Sequence, residues 1–307
     1  MRALITGATG FVGRHLRRRL IELGWETVAA GRAHDALDVP LELENSASVA
    51  AAVGAARPDV IFHLAGQTFV PAAYDDPTAT YETNVIGTAR LVEAARRAGA
   101  ARIVFASSAQ VYGRGNEAYG ALKESAPIAP AEPYSASKAA AEQVCFAAFR
   151  AYGQPVVVAR AFNHIGPGQD GRFVVASFAR QLARIAKKVE PPRIEVGNLE
   201  TERDFLDVRD VVEAYIALSE RGTPGEAYNV CSGRPVKVRT LLRILIEAAG
   251  TPVEVREAAD KLRHVDVPQF YGDNSKLRAL GWEPRFALES SLRDALDAAM
   301  NDVVQPV

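Results

Sequence analysis

The stretch Ala3-Leu4-Ile5-Thr6-Gly7-Ala8-Thr9-Gly10-Phe11-Val12-Gly13 decides the architecture of this chain. Residues 3–6 are a short, mostly apolar run that suits a buried strand, and glycines then stand at 7, 10 and 13. From position 11 onward apolar residues recur at helical spacing, so the glycines occupy a strand-to-helix turn. Glycine permits a tight turn and lets backbone approach a ligand closely. The free amides and positive end of the following helix then favour phosphate oxygens. Gly7, Gly10, Phe11, Val12 and Gly13 are therefore read as a pyrophosphate-binding turn. Its spacing differs from the Gly-x-Gly-x-x-Gly of ordinary dehydrogenases.

Outward from this turn, residues 27–30, 60–64, 103–106 and 156–159 read as further buried strands. Residues 11–23, 47–56, 81–98 and 134–152 carry helical periodicity between them. This alternation predicts an α/β fold, a doubly wound parallel sheet of Rossmann type with helices on both faces. Its ligand is expected beyond the carboxyl ends of the strands, where the strand order reverses. After residue 161 turn-rich segments separate helices at about 173–188, 208–220, 238–249 and 288–300. That half has no pattern for a second independent parallel sheet and reads as a smaller C-terminal lobe over the cleft. The expected division is residues 1–161, with returning segments near 205–230, for the cofactor. Residues 162–204 and 231–307 form the substrate-binding lobe.

The 307 residues are 48% hydrophobic and 24% charged with a formal net charge of -1. Such a balance provides no field for steering onto nucleic acid or an anionic membrane. No apolar run approaches the roughly 18–20 residues that span a bilayer. Met1 runs straight into a strand, which does not read as a cleavable signal. Cys145 and Cys231, the only cysteines, have neither disulfide nor zinc spacing. A cytoplasmic protein without a metal is expected.

The second strand ends at Gly31-Arg32. An acid at this point would bind the ribose hydroxyls of NAD, whereas an arginine pairs with the 2′-phosphate of NADP. No acid occupies 31–34, and Asp35 comes too late. NADP(H) is thus expected over NAD(H). Glu42 and Leu43, after the third strand, are placed to meet adenine.

Tyr134-Ser135-Ala136-Ser137-Lys138 puts a phenol and an ammonium one helical turn apart on the same face. A phenol with pKa near 10 is a poor acid–base at neutral pH. Bringing it to about 7 requires about 4 kcal/mol, which one cation about 4 Å away supplies at an effective dielectric near 20. Ser108, at the end of the 103–106 strand, carries a hydroxyl suited to a carbonyl or alkoxide oxygen. Ser107 is its rival, but strand alternation sends it to the opposite face. Ser108, Tyr134 and Lys138 are the expected catalytic residues.

With these motifs the chain resembles the extended short-chain dehydrogenase/reductase family, in the branch acting on nucleotide-sugars. The likeness spans nearly the full length. It rests on Gly7/Gly10/Gly13, His63-Leu64-Ala65-Gly66, Thr83-Asn84-Val85-Ile86-Gly87-Thr88, Ser108, Tyr134/Lys138, Arg160-Ala161-Phe162-Asn163, Arg203-Asp204-Phe205, Tyr228-Asn229-Val230 and Arg263-His264-Val265-Asp266. The resemblance implies that Leu64, Ala65, Gly66 and Ala161 line the cofactor together with Tyr134 and Lys138. It implies that Asn163, Arg203 and Arg263 surround the substrate diphosphate, where arginine's planar fork matches phosphate oxygens. Asp266 is implied at the ribose, and Ser108 and Tyr134 at the reacting sugar. It also implies a homodimer packed through the helices at 81–98 and 134–152. His264 replaces the family's usual proline, and Glu42 its usual aspartate.

Within that branch, Phe162-Asn163-His164-Ile165-Gly166-Pro167-Gly168-Gln169 resembles members that take a GDP-sugar. Related 4,6-dehydratases carry acids just after the active-site hydroxyl, to remove and return protons. Here Ala109 and Gln110 stand there, and neither can act as an acid or base. The expected reaction is NADPH-dependent reduction of the C4 ketone of GDP-4-keto-6-deoxy-D-mannose. Either GDP-D-rhamnose or its C4 epimer, GDP-6-deoxy-D-talose, is formed. The alternatives are an NAD-dependent nucleotide-sugar 4-epimerase and a non-catalytic NADP-binding regulator. His63 reads as packed and hydrogen-bonded. Asp204, Asp207 and Asp210, around a helix start, read as caps and arginine partners rather than metal ligands.

Overall fold

The computed structural model describes residues 1–32, 37–99, 102–114, 120–258 and 267–303. Its strands are β1 (Arg2–Thr6), β2 (Glu26–Gly31), β3 (Val39–Pro40), β4 (Val60–His63), β5 (Arg102–Ser108) and β6 (Val156–Ala161). They continue with β7 (Asn163–Ile165), β8 (Arg193–Val196), β9 (Glu202–Asp207), β10 (Ala227–Val230), β11 (Pro235–Lys237), β12 (Glu254–Glu257) and β13 (Gln269–Phe270).

The main sheet is parallel and seven-stranded, in the order β10-β6-β5-β4-β1-β2-β3. It is a Rossmann-type sheet. The chain winds from β1 outward to β3, then crosses back to β4 and winds the other way, so the order reverses between β1 and β4. All four residues of β4 and all six of β6 are buried, as expected when helices cover both faces of a parallel sheet. One apolar layer packs Leu16 and Leu20 of the helix Phe11–Glu22 with Val211, Tyr215 and Leu218 of the helix Val208–Arg221. The opposite layer joins Val49 and Val53 of Ser46–Ala56 to Leu91 and Ala141 on later helices.

The strand and helix positions agree with the sequence periodicity to within a few residues, with one exception. The helix expected over 81–98 is interrupted by a π-helical turn, Glu82–Ile86, between Pro77–Tyr81 and Gly87–Arg97. One wide turn rotates Asn84 inward, where it is 2% exposed, and such turns recur at functional sites.

The second half is richer in strands than its sequence suggested. β10 joins the main sheet, while β9 centres a small mixed sheet, antiparallel to β11 and parallel to β7 and β13. β8 and β12 form a separate parallel pair. These strands are only two to six residues long, too short for their alternation to register. The core of this lobe is built from Phe178 and Leu182 of Val174–Ala186, Leu241 and Leu245 of Val238–Ala249, and Leu292 and Leu296 of Leu288–Asp302.

Candidate active site

The glycine turn sits at the carboxyl ends of β1 and β4. Gly7 has φ +71°, and a Cβ there would lie 2.9 Å from the Ala65 amide nitrogen. A Cβ on Gly13 would stand 2.2 Å from the Gly7 carbonyl oxygen, and one on Gly10 3.1 Å from the same atom. The Gly7 amide donates to the Ala30 carbonyl at 3.0 Å, which ties the turn to the end of β2. A loop this compact, running straight into a helix N-terminus that no side chain caps, fits a pyrophosphate. Arg32 follows β2 directly and is exposed. Its charge is felt by the Glu44 carboxylate, which lies below its usual range chiefly because the Thr83 hydroxyl donates to it. Glu42 is exposed; Leu43 is buried against Gly87, and its carbonyl accepts from Arg90 Nη1 at 3.1 Å.

Leu64, Ala65 and Gly66 continue from β4 past the turn. The Ala65 amide donates to Thr6 Oγ1 at 3.2 Å. A Cβ on Gly66 would be 2.7 Å from Asn84 Oδ1 and 3.7 Å from Lys138 Nζ. The segment after β4 and the helix that carries Tyr134 and Lys138, Pro133–Tyr152, therefore meet at Gly66. Asn84 accepts from the Gln67 amide at 2.8 Å and donates to Ser137 Oγ at 2.9 Å.

The catalytic helix begins with a capping box. The Glu132 side chain accepts from the amides of Tyr134 and Ser135, and Ser135 Oγ accepts from the Glu132 amide. This fixes the first turn, which carries Tyr134. The Ser108 hydroxyl faces the phenol of Tyr134 and favours its ionised form. Ser108 also caps the short helix Ala109–Tyr112, its Oγ accepting from the Gln110 amide at 3.2 Å. Ser107 points the other way, donating to Glu142 at 2.6 Å in the interior. Ser108 and Tyr134 are each 8% exposed, Lys138 4%. The three expected catalytic side chains gather at the end of β5.

Their electrostatics differ from the simple ammonium–phenol picture. Burial pushes the Tyr134 phenol up to about 12, with the Ser108 hydroxyl pulling the other way. Burial lowers Lys138 to about 8, and its Nζ donates to the Ala106 carbonyl at 2.8 Å, above the Phe105 ring. Within the protein's own atoms desolvation outweighs the Ser108 hydroxyl and the Glu132 carboxylate adds to it, so the phenol is held protonated rather than tuned to neutrality.

Ala161 pairs in register with Ser108, so two residues carry the chain from the catalytic strand end to Asn163 on β7. Asn163 is exposed, with Nδ2 donating to the Asp204 carbonyl at 3.2 Å. Arg203 lies on the neighbouring strand β9, with Nη1 donating to the carbonyls of Glu202 and Val267 at 2.8 and 2.7 Å. Asn163 and Arg203 thus share one small sheet. Asp35, Arg263, His264 and Asp266 lie outside the described residues.

Sequence comparison adds a family to this geometry. The profile of the NAD dependent epimerase/dehydratase family matches residues 3–231. The chain belongs to this family. It is 38% identical over 299 residues to GDP-6-deoxy-D-mannose reductase of Pseudomonas aeruginosa, covering 96% of each chain. It is 32% identical over 291 residues to GDP-6-deoxy-D-talose 4-dehydrogenase of Aggregatibacter actinomycetemcomitans, covering 93% of each. The structure of RMD from Pseudomonas aeruginosa complexed with NADPH superposes with a TM-score of 0.89 at 36% identity, covering 99% of this chain and all of that one. As a member of this extended short-chain dehydrogenase/reductase family, the protein is a nicotinamide-dependent oxidoreductase of the nucleotide-sugar type.

In this epimerase/dehydratase-family chain several side chains near the site carried no distinctive sequence signal. Gln67, Tyr112 and Glu142 are common residue types in unremarkable positions, and only folding brings them beside the motifs. Arg14 and His15 of the first helix donate to the carbonyls of Gly168 and Pro167 at 3.0 Å, and the His164 ring stacks on Phe11. The segment 163–168 is thereby fastened over the start of the first helix, Phe11–Glu22. The three aspartates diverge. Asp207 caps Val208–Arg221 and pairs with Arg209 at 2.7 Å; Asp210 accepts from the amides of Arg285 and Phe286. Asp204 accepts from Ser232 and Gly233. Among the described residues no group of three such side chains is arranged to hold a metal ion, and no helix is long and apolar enough to cross a membrane.

Proposed function

We propose that the protein is a nucleotide-sugar 4-ketoreductase that uses NADPH to reduce the C4 ketone of GDP-4-keto-6-deoxy-D-mannose, giving GDP-D-rhamnose or its C4 epimer. The observation that carries this reading is the buried Tyr134 phenol, held protonated beside Ser108, on a loop whose next two residues, Ala109 and Gln110, contain no acid or base. A site so equipped can give one proton to one oxygen; it lacks the groups that a dehydration needs.

When bound, the reduced nicotinamide supplies the hydride. Ser108 and Tyr134 hold the ketone oxygen between their hydroxyls. As that oxygen becomes an alkoxide, far more basic than a phenolate, Tyr134 transfers its proton. Lys138, mostly protonated at neutral pH, stabilises the phenolate that results and holds the cofactor ribose. Gly7, Gly10, Phe11, Val12, Gly13, Leu64, Ala65, Gly66 and Ala161 line the dinucleotide, Glu42 and Leu43 meet adenine, and Arg32 pairs with the 2′-phosphate. Asn163, Arg203, Arg263 and Asp266, in the lobe formed by 162–204 and 231–307, take the sugar nucleotide. Remote binding of this kind positions the distant C4.

The named relatives act on GDP-6-deoxy sugars, which supports guanine as the base and C4 as the reacting carbon. A cytosolic homodimer completes the reading. The helices Gly87–Arg97 and Pro133–Tyr152 pack together, and Tyr152 at the end of the second is 67% exposed.

Mixing the protein with NADPH and GDP-4-keto-6-deoxy-D-mannose should consume the reduced cofactor in proportion to the sugar, and the proton spectrum of the product fixes its C4 configuration. No consumption with a substrate preparation that another 4-ketoreductase accepts would reject the proposal.

A further inference from the structure

Behind the catalytic side chains lies a second polar cluster that the reaction does not itself use. Glu142 has a side chain 0% exposed and Arg160 one 5% exposed, and they are joined at 2.8 Å from Nη2 to Oε2. Arg160 Nε donates to both carboxylate oxygens, at 3.0 and 3.2 Å. Burying two charges costs several kcal/mol per ion, and apolar residues of similar volume often stabilise a core as well or better. What an ion pair supplies and an apolar pair does not is direction.

That direction is specific. At one end Ser107 Oγ donates to Glu142 Oε1 at 2.6 Å. At the other Arg160 Nη1 donates to Tyr112 Oη at 3.0 Å, and Tyr112 in turn donates to Asn229 Oδ1 of β10 at 2.7 Å. Arg160 Nη1 also donates to the Glu124 carbonyl at 3.1 Å. Glu142 lies on the helix of Tyr134 and Lys138, eight and four positions on respectively, hence on the same face. Ser108 falls between the two tethered residues, Ser107 and Tyr112.

We propose that the buried Glu142–Arg160 pair is a positioning device that clamps segment 107–112 to the catalytic helix at both ends and so fixes Ser108 against Tyr134. This rests on the catalytic reading of Ser108, Tyr134 and Lys138 given above. The pair also sets the charge environment of Lys138. Among the described residues, the titratable groups facing that ammonium are Cys145 and Glu142 on its own helix and His63 at the end of β4. Burial keeps the Cys145 thiol and the His63 imidazole uncharged, so the Glu142 carboxylate alone opposes the desolvation of Lys138.

The test compares wild type, Glu142→Gln, Tyr112→Phe and Tyr134→Phe with NADPH and GDP-4-keto-6-deoxy-D-mannose, over a range of pH. Glu142→Gln should lower kcat about 100-fold, the scale of an ångström-sized misplacement. Tyr112→Phe, which loses one tether, should lower it about tenfold, the scale of one hydrogen bond. In both, KM for sugar and cofactor should stay near wild type, and in Glu142→Gln the alkaline limb of kcat should move to lower pH. A purely structural cluster would lower Tm and leave kcat and that limb in place. Wild-type turnover in either folded variant, a loss confined to KM, or an unmoved limb overturns the clamp. Should Glu142→Gln fail to fold, Tyr112→Phe decides alone through kcat. Full activity in Tyr134→Phe would instead refute the catalytic assignment itself, independently of the other variants.

Discussion

His63 Nε2 lies 3.0 Å from Thr88 Oγ1 while its Nδ1 lies 2.9 Å from Thr6 Oγ1. Thr88 donates to the Asn84 carbonyl at 2.6 Å, so it accepts from His63 Nε2–H, which leaves Nδ1 to accept from Thr6. The neutral ring is thus wedged between the end of β1 and the helix Gly87–Arg97. Burial lowers its pKa from 6.5 to about 3. A histidine depressed in this way binds its proton in the unfolded chain first, so stability is full above pH 6.5 and falls as pH drops toward 3. The slope is about 1.4 kcal/mol per pH unit. In urea titrations the stability gap between wild type and His63→Leu should be about 2 kcal/mol at pH 7.5 and close by about pH 5; a constant gap would show the ring is not held neutral.

Asp204 has the opposite sign. Its carboxyl is pushed up from 3.8 to about 6 by burial, despite accepting from Ser232, Gly233 and Gly272. The folded state therefore holds this proton more tightly than the unfolded one, and that contribution is present below pH 3.8 and lost as pH rises through about 6. Asp204→Asn should gain stability relative to wild type between pH 4 and 6 in thermal melts.

Lys138 and Tyr134 set the pH window for turnover. The ammonium, lowered to about 8 by burial, is lost first as pH rises, whereas the phenol, at about 12, keeps its proton throughout. Steady-state kcat should fall above about pH 8. Tyr134→Phe should lose 10²–10⁴-fold in kcat, the usual order for a general acid, with cofactor affinity by fluorescence titration preserved.

Arg32 is the residue expected to discriminate cofactors. If Arg32 pairs with the 2′-phosphate as proposed, exchanging it for alanine removes a charge–phosphate contact of about 1.5–3 kcal/mol. KM for NADPH should therefore rise by one to two orders of magnitude, as that energy implies, while KM for NADH stays constant. Equal effects on both would place the 2′-phosphate elsewhere.

Gly13→Ala tests the turn. The added Cβ would sit 2.2 Å from the Gly7 carbonyl and 2.8 Å from Ala8 Cα, both backbone, so the loop must open. Dinucleotide binding should be abolished in calorimetry. Far from such contacts, Gly54→Ala meets nothing within 4 Å and should bind normally, with stability unchanged or slightly raised.

The local sequence determined the strand–glycine–helix unit at 1–22, the buried strands β1, β4, β5 and β6, and the pairing of Tyr134 with Lys138. Each of these depends on periodicity or on steric demands that act within a few residues. Tertiary structure alone decided the rest. The π-helical turn that buries Asn84, the two-to-six-residue strands around β9, and the meeting of Ser107, Tyr112, Glu142, Arg160 and Asn229 join positions up to 117 residues apart. No periodic signal reports such encounters. The phenol's acidity was likewise invisible, because it depends on how much water the fold removes from Tyr134 and where Lys138 turns its ammonium, not on the spacing of the two residues.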